Sequence, residues 1–288
     1  MAIPNKPYVE TPIKYYGGKT NLLPELLPLL NSSKHPTFVS LFTGGGAAEF
    51  AKNPQPVEIW NDTLSALNNF YEVVKTPYLS KLLLSRLNRS AYSEHWYKHA
   101  KFLYKKYRKA YPTKSKQKIE FAWATYWMCN ATFAGGILKG FAFSSSRNQA
   151  YTHRYKVSIY DVDALANRMT NVTIMGRDAL EVYKLFNKPN TLFYADPPYY
   201  NSDCGHYGGY SIEDFTNLLA GLENCKGDFI LSSYPSDILK EYSDRNKWYT
   251  KTITQVLNVR TPNKTHKQEC ITTNFDPMKA TNETIPLF

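Results

Sequence analysis

Thr191-Leu192-Phe193-Tyr194-Ala195-Asp196-Pro197-Pro198-Tyr199 is an apolar, β-prone run that ends on an acid and two prolines. An uncharged run of this length, bounded by turn residues, predicts a strand buried on both faces of a mostly parallel sheet. The prolines cannot continue a ladder, so Asp196 falls at the strand's carboxyl end, where α/β sheets bind ligands. A rigid turn at that point can aim the Asp196 carboxylate and the Pro197 carbonyl at one place. Two acceptors suit the two hydrogens of an –NH₂ group. The lone pair of an aromatic amine is delocalised into its ring, and acceptors out of the ring plane favour pyramidal nitrogen. That stabilisation is specific to the transition state. Tyr199 offers a ring face on which a planar group can stack.

Working outward, further β-prone runs occur at Phe38 to Phe42, Val57 to Trp60, Val172 to Met175 and Asp228 to Ser232. Helical patterns lie between them: Leu22 to Leu30, interrupted by Pro24 and Pro28, then Ala47 to Ala51, Leu64 to Val74, Asp161 to Met169, Ala179 to Phe186 and Ile212 to Glu223. Strands alternating with helices predict an α/β sheet covered on both faces. Tyr249 to Val259 and Gln268 to Phe275, joined through Arg260 to Lys264, predict an antiparallel hairpin at the sheet edge. The alternation breaks between about Pro77 and Tyr155. That stretch is helical and aromatic at first and Gly/Ser-rich later, and it reads as an insertion between the second and third strands. The expected organisation is therefore a discontinuous catalytic domain, 1–76 and 156–288, with a lobe at 77–155.

The chain has 288 residues, 43% hydrophobic and 20% charged, enough for one large α/β domain and a smaller lobe. No stretch approaches the roughly 18 apolar residues of a membrane helix, and Met1 to Pro7 lacks the apolar run of a secretory signal. A soluble cytoplasmic protein is expected. Cys129, Cys204, Cys225 and Cys270 have neither zinc-ligand nor disulfide-framework spacing, so reduced thiols and no metal are predicted. The net charge of +11 favours a polyanionic partner, and Lys98 to Lys118 holds eight Lys and one Arg with no acid. Tyr side chains interleave these charges. The segment reads either as a helix facing nucleic acid or as an amphipathic helix with solvated lysines.

Phe38 to Phe42 runs into Thr43-Gly44-Gly45-Gly46 and then into Ala47-Ala48-Glu49-Phe50. Glycines after a first strand allow a tight turn and a close approach to a ligand across the strand ends. Asp62, 18 residues beyond Gly44 at the end of the next strand, is placed to accept hydrogen bonds from ribose hydroxyls. Either a dinucleotide or S-adenosylmethionine fits. Glu49 occupies the third glycine position of the dinucleotide pattern, which counts against a nicotinamide enzyme. Tyr15-Tyr16-Gly17-Gly18-Lys19-Thr20 ends like a phosphate-binding loop, but Ile13 stands where the pattern needs its first glycine.

Taken in order, Lys14-Tyr15-Tyr16-Gly17-Gly18-Lys19, Phe42-Thr43-Gly44-Gly45-Gly46, Trp60-Asn61-Asp62, Gly176-Arg177-Asp178 and Asp196-Pro197-Pro198-Tyr199 resemble the motifs of Dam-type adenine-specific DNA methyltransferases. The resemblance covers most of the chain. It implies a Rossmann-like S-adenosylmethionine-dependent methyltransferase sheet with a C-terminal antiparallel hairpin and an inserted, mainly helical target-recognition lobe. It further implies site-specific methyl transfer to N6 of adenine in double-stranded DNA, by base flipping and direct transfer. Tyr15, Lys19, Phe42, Gly44, Gly46, Asp62, Asp178 and Asp196 are then the residues expected at S-adenosyl-L-methionine. Asp196, Pro197 and Tyr199 are those expected at the reacting base. Lys14, with Lys105, Lys106 and Lys109 of the basic segment, is expected on the DNA. Such enzymes are expected as monomers, and a restriction endonuclease acting on the same site is an expected partner. Asp-Pro-Pro-Tyr also occurs in N4-cytosine methyltransferases, which keeps that product as an alternative, together with a DNA-binding relative that has lost activity. Cys129 to Gly136 matches the family's Asn-rich, Phe-Asn-Gly stretch only loosely, so no base-reading residue carries over.

Overall fold

The run that ends at Asp196 forms β4 (Thr191–Ala195), and all five of its residues are buried. It belongs to a computed structural model that describes residues 9–132, 135–144, 148–158, 160–200, 210–256 and 266–282. The Arg260 to Lys264 connection, Cys204, and Phe133, Ala134 and Ser145 to Arg147 of the Gly/Ser-rich stretch lie outside the described residues.

In chain order, a 3₁₀ turn (Lys19–Leu22) leads into α1 (Leu23–Ser32), β1 (Thr37–Ser40), α2 (Ala47–Ala51), β2 (Val57–Asn61) and α3 (Ser65–Lys75). Then come α4 (Pro77–Asn88), α5 (Glu94–Lys109), α6 (Ser115–Asn130), α7 (Gln149–Ser158), α8 (Val162–Arg168), β3 (Val172–Met175) and α9 (Ala179–Phe186). After β4 follow α10 (Ile212–Glu223), β5 (Asp228–Ser233), α11 (Asp237–Asn246), β6 (Tyr249–Val256), β7 (His266–Thr273) and α12 (Pro277–Asn282). The chain divides into two compact units, one of residues 1–23, 44–54 and 62–176, the other of 24–43, 55–61 and 177–288.

The second unit carries strands in the order β2-β1-β4-β5-β7-β6. The first four are parallel, with Ser40 beside both Trp60 and Tyr194, and Ala195 beside Leu231. Parallel pairing brings the carboxyl ends of β1, β4 and β5 to one edge, so Phe42, Asp196 and Tyr234 leave the sheet on the same side. β7 runs antiparallel to β5, and β6 antiparallel to β7, which makes β6 the outer strand of the expected hairpin. This is the α/β, Rossmann-like sheet that the strand and helix alternation predicts. Phe38, Val39, Leu192, Phe193, Phe229 and Ile230 are fully buried at its centre. Each such side chain contributes roughly 1.5–3 kcal/mol relative to an exposed one. The first helix differs from its expected interruption. Pro24 sits in the first turn of α1, where no N–H bond is lost, and Pro28 lies inside a helix held by buried Leu26, Leu29 and Leu30.

The first unit is mainly helical. Residues 121–129 of α6 are buried without exception, because Phe-Ala-Trp-Ala-Thr-Tyr-Trp-Met-Cys is apolar around the whole helix. α5 lays Tyr104 and Tyr107 on Phe121, and the Asn69 side chain of α3 donates to the Lys118 carbonyl of α6 at 2.9 Å. α8 packs on α3 and α4. The expected 77–155 lobe therefore lies wholly within a unit that also takes in α2, α3, α8 and β3. No described helix is long and apolar enough to cross a membrane.

Candidate active site

At the edge of the second unit, the strand-ending turn leaves Pro197 buried and Asp196 half-buried. The Tyr199 hydroxyl donates to Asp196 Oδ1 at 3.3 Å, and the Tyr199 ring lies 4.1 Å from that of Tyr234, which follows β5. Burial pushes the Tyr199 phenol well above its ordinary pKa, and the nearby charges of Asp196 and Glu269 push it further. It stays protonated and remains a donor. Phe42 meets Tyr210 edge-to-face at 6.1 Å. Asn61 ties the neighbouring strand ends: its amide nitrogen donates to the Leu41 and Arg177 carbonyls at 3.0 Å, and its oxygen accepts from Arg177 N–H at 3.0 Å. Asp178 caps α9, accepting from Leu180 and Glu181 N–H through Oδ1. An N-cap aspartate is a common helix device, so this much of Asp178 is structural.

In the first unit, the glycine loop and Asp62 meet directly. Gly44 N–H donates to Asp62 Oδ2 at 2.8 Å and Leu64 N–H to Oδ1 at 2.8 Å, while Asp62 N–H donates to the Met175 carbonyl at 3.2 Å. Burial raises the Asp62 carboxyl pKa, and the two N–H donors pull against it. Gly44 and Gly46 hold φ of +52° and +69°, which disfavour any side chain. Gly45 is required for another reason: a Cβ there would lie 2.5 Å from Tyr15 Cβ. Tyr15 thus packs on the loop, and Lys19, almost fully buried, donates through Nζ to the Gly17 carbonyl at 3.0 Å. Tyr15, Lys19, Gly44, Gly46 and Asp62 belong to one neighbourhood.

Several partners in this neighbourhood carry no motif in the sequence. The Tyr71 hydroxyl donates to the Gly44 carbonyl, the Asn68 amide to the Asp62 carbonyl at 2.7 Å, and Thr11 to the Gly45 carbonyl. Asn130, at the end of α6, accepts from Lys14 N–H at 3.1 Å, and Gly135 packs so closely on Lys14 that a Cβ would fall 2.9 Å from its carbonyl oxygen. The inserted stretch therefore shapes the segment that holds Lys14, whose own side chain is exposed.

Lys105, Lys106 and Lys109 are exposed on α5, opposite the buried Tyr97, Tyr104 and Tyr107, as both readings of this segment require. The first-turn Tyr97 hydroxyl donates to the Lys139 carbonyl, and Lys139 Nζ lies 5.5 Å from the Tyr16 ring centroid. The three lysines follow 8–12 residues later, about 12–18 Å along the helix axis.

Comparison with known proteins adds two findings. No curated protein matches the chain. A family described as D12 class N6 adenine-specific DNA methyltransferase matches residues 15–262, a span that takes in every motif above except Lys14 at the head of the first. A match over most of the length, carrying the strand-end acid and the glycine loop with it, places this chain in the D12 class of N6 adenine-specific DNA methyltransferases.

Proposed function

We propose that this adenine-specific DNA methyltransferase takes its methyl group from S-adenosylmethionine and holds that donor at the Gly44–Asp62 neighbourhood. The observation that carries this is the loop itself: positive φ at Gly44 and Gly46, a Gly45 with no room for a Cβ, and an aspartate bonded to the loop's first N–H. Each carboxylate oxygen has a second lone pair, so Asp62 can accept from ribose hydroxyls while its backbone bonds persist. A ribose-binding carboxylate serves a dinucleotide equally well, and it is Glu49 at the third glycine position that favours the sulfonium nucleoside. Tyr15 supports the loop, and Lys19 fixes the turn that precedes it. Phe42 and Asp178 are proposed to contribute to donor binding, as the family motif order assigns them.

When bound, the donor supplies an electrophilic methyl group on a sulfonium. Asp196, with the Pro197 carbonyl, is proposed to accept from the target amine and to favour pyramidal nitrogen at the moment of attack. Tyr199, backed by Tyr234, orients the carboxylate and offers a ring for an extruded adenine. Transfer is direct: the N–C bond would form as the donor's S–C bond breaks, and the extra proton on nitrogen would pass to the Asp196 carboxylate and from there to water. Lys14, Lys105, Lys106 and Lys109 are proposed as phosphate contacts, and residues 77–155 as the target-recognition lobe. The same reading expects a cytoplasmic monomer acting on double-stranded DNA, with a restriction endonuclease of matching specificity as partner.

Calorimetry with S-adenosylmethionine tests the donor site. Asp62→Ala should weaken binding by about 1.5–3 kcal/mol, the range for a hydrogen bond to a charged group. Unchanged affinity would place the donor elsewhere.

A further inference from the structure

β5 and β7 run antiparallel, and their last registered pair is Ser233 opposite Cys270. One residue further, Tyr234 follows the end of β5, and the same register carried on by one residue sets it against Glu269 of β7, itself paired with Ile253 of β6. Residues opposite one another in such a pair have Cβ atoms about 4.5–5.5 Å apart and share a face. Glu269 is only 3% exposed. Burying a carboxylate is costly, and selection against it is expected unless the group does something at that place. What lies beside it is the aromatic pair of the proposed site: Tyr234 against Tyr199 at 4.1 Å, and the Tyr199 hydroxyl on Asp196 at 3.3 Å. The Glu269 charge is felt at the Tyr199 phenol, which it helps to keep protonated.

We propose that Glu269 is a positioning residue for Asp196, acting through Tyr234 and Tyr199. It fixes the Tyr234 ring where β5 ends, Tyr234 backs Tyr199, and the Tyr199 hydroxyl sets the angle of the carboxylate. The proposal rests on the reading of Asp196 as the acceptor for the target amine. It extends the machinery beyond Asp196-Pro197-Pro198-Tyr199 to Glu269, 70 residues after Tyr199 in the chain, and it gives the terminal hairpin a part in the chemistry.

Single-turnover methyl transfer, measured beside the dissociation constants for S-adenosylmethionine and DNA, tests it. Glu269→Ala should slow transfer by about 100-fold, the cost of a displacement near 1 Å at a reacting centre. Both dissociation constants should stay at wild-type values. Glu269→Gln keeps the side-chain shape and should recover most of the rate. A 2-aminopurine at the target position, which reports stacking of the extruded base, should change in fluorescence with Ala and revert with Gln. Tyr234→Leu should reproduce the Ala phenotype, and the double variant should be no slower than the slower single one, since both act along one chain of contacts.

A wild-type rate in folded Glu269→Ala would overturn the proposal. So would multiplied losses in the double variant. Should Glu269→Ala not fold, a wild-type rate in Tyr234→Leu overturns it instead. Asp196→Ala run in parallel separates the two levels: if that variant still transfers methyl groups, the reading of Asp196 fails and takes this proposal with it. If it is inactive while the Glu269 and Tyr234 variants run at full speed, only the positioning role fails.

Discussion

Asp196 and Asp62 are both acids that end parallel strands, yet different work is proposed for them. Asp62 has each oxygen engaged by a backbone N–H, which makes it part of the loop's scaffold and leaves one lone pair per oxygen for a ligand. Asp196 accepts from the Tyr199 hydroxyl at 3.3 Å and stands half-buried at a rigid Pro-Pro turn beyond the strand end. Asp196→Ala should therefore reduce the single-turnover rate by about 1,000-fold or more while DNA binding persists, because the lost acceptor acts in the transition state. Near-normal rates would remove it from the mechanism. The pH dependence belongs to Asp62. Burial raises its carboxyl above the ordinary value of about 3.9. Protonation removes an acceptor, so S-adenosylmethionine affinity should fall as pH drops through that raised pKa, at higher pH than an ordinary aspartate would show. Titration by calorimetry should show this acid limb in wild type and lose it in Asp62→Asn. A wild-type protein without the limb would argue against a ligand-facing Asp62.

Among the elements, the strands that carry these acids were legible because each is a short apolar run cut off by turn residues, and β4 is buried throughout. The hairpin was legible for the same reason: β6 starts at Tyr249 as expected, β7 ends two residues before the expected Phe275, and Leu257 to Val259 lie outside the described residues. α6 was harder to read, since a helix buried all round has no polar face and so no 3.6-residue period to detect. The partners of Lys14 were not legible at all: Asn130 lies 116 residues away and Gly135 further still, and such pairings are set by tertiary packing. The Lys98 to Lys118 segment was legible as basic and helical with Tyr side chains free to pack inward, but the break between α5 and α6 required the structure. If Lys105, Lys106 and Lys109 neutralise phosphates, replacing all three by Gln should make the slope of log affinity against log salt shallower by up to about 2.7 units, with similar weakening on every DNA sequence. A wild-type slope in the triple variant would show that this face of α5 meets only water.

For the whole molecule, a Rossmann-like sheet, a glycine loop with its aspartate, and a strand-end Asp-Pro-Pro-Tyr turn converge on transfer to an exocyclic amine. The family match fixes the amine as N6 of adenine. Chemistry alone left N4 of cytosine open, because both are aromatic amino groups that two acceptors can engage. The measurement that tests the account most directly is therefore identification of the product. DNA treated with the purified protein and S-adenosylmethionine should be digested to nucleosides and resolved by mass spectrometry. The account predicts N6-methyl-2′-deoxyadenosine from the wild-type protein and none from Asp196→Ala. N4-methyl-2′-deoxycytidine, or N6-methyl-2′-deoxyadenosine at undiminished yield from Asp196→Ala, would contradict it.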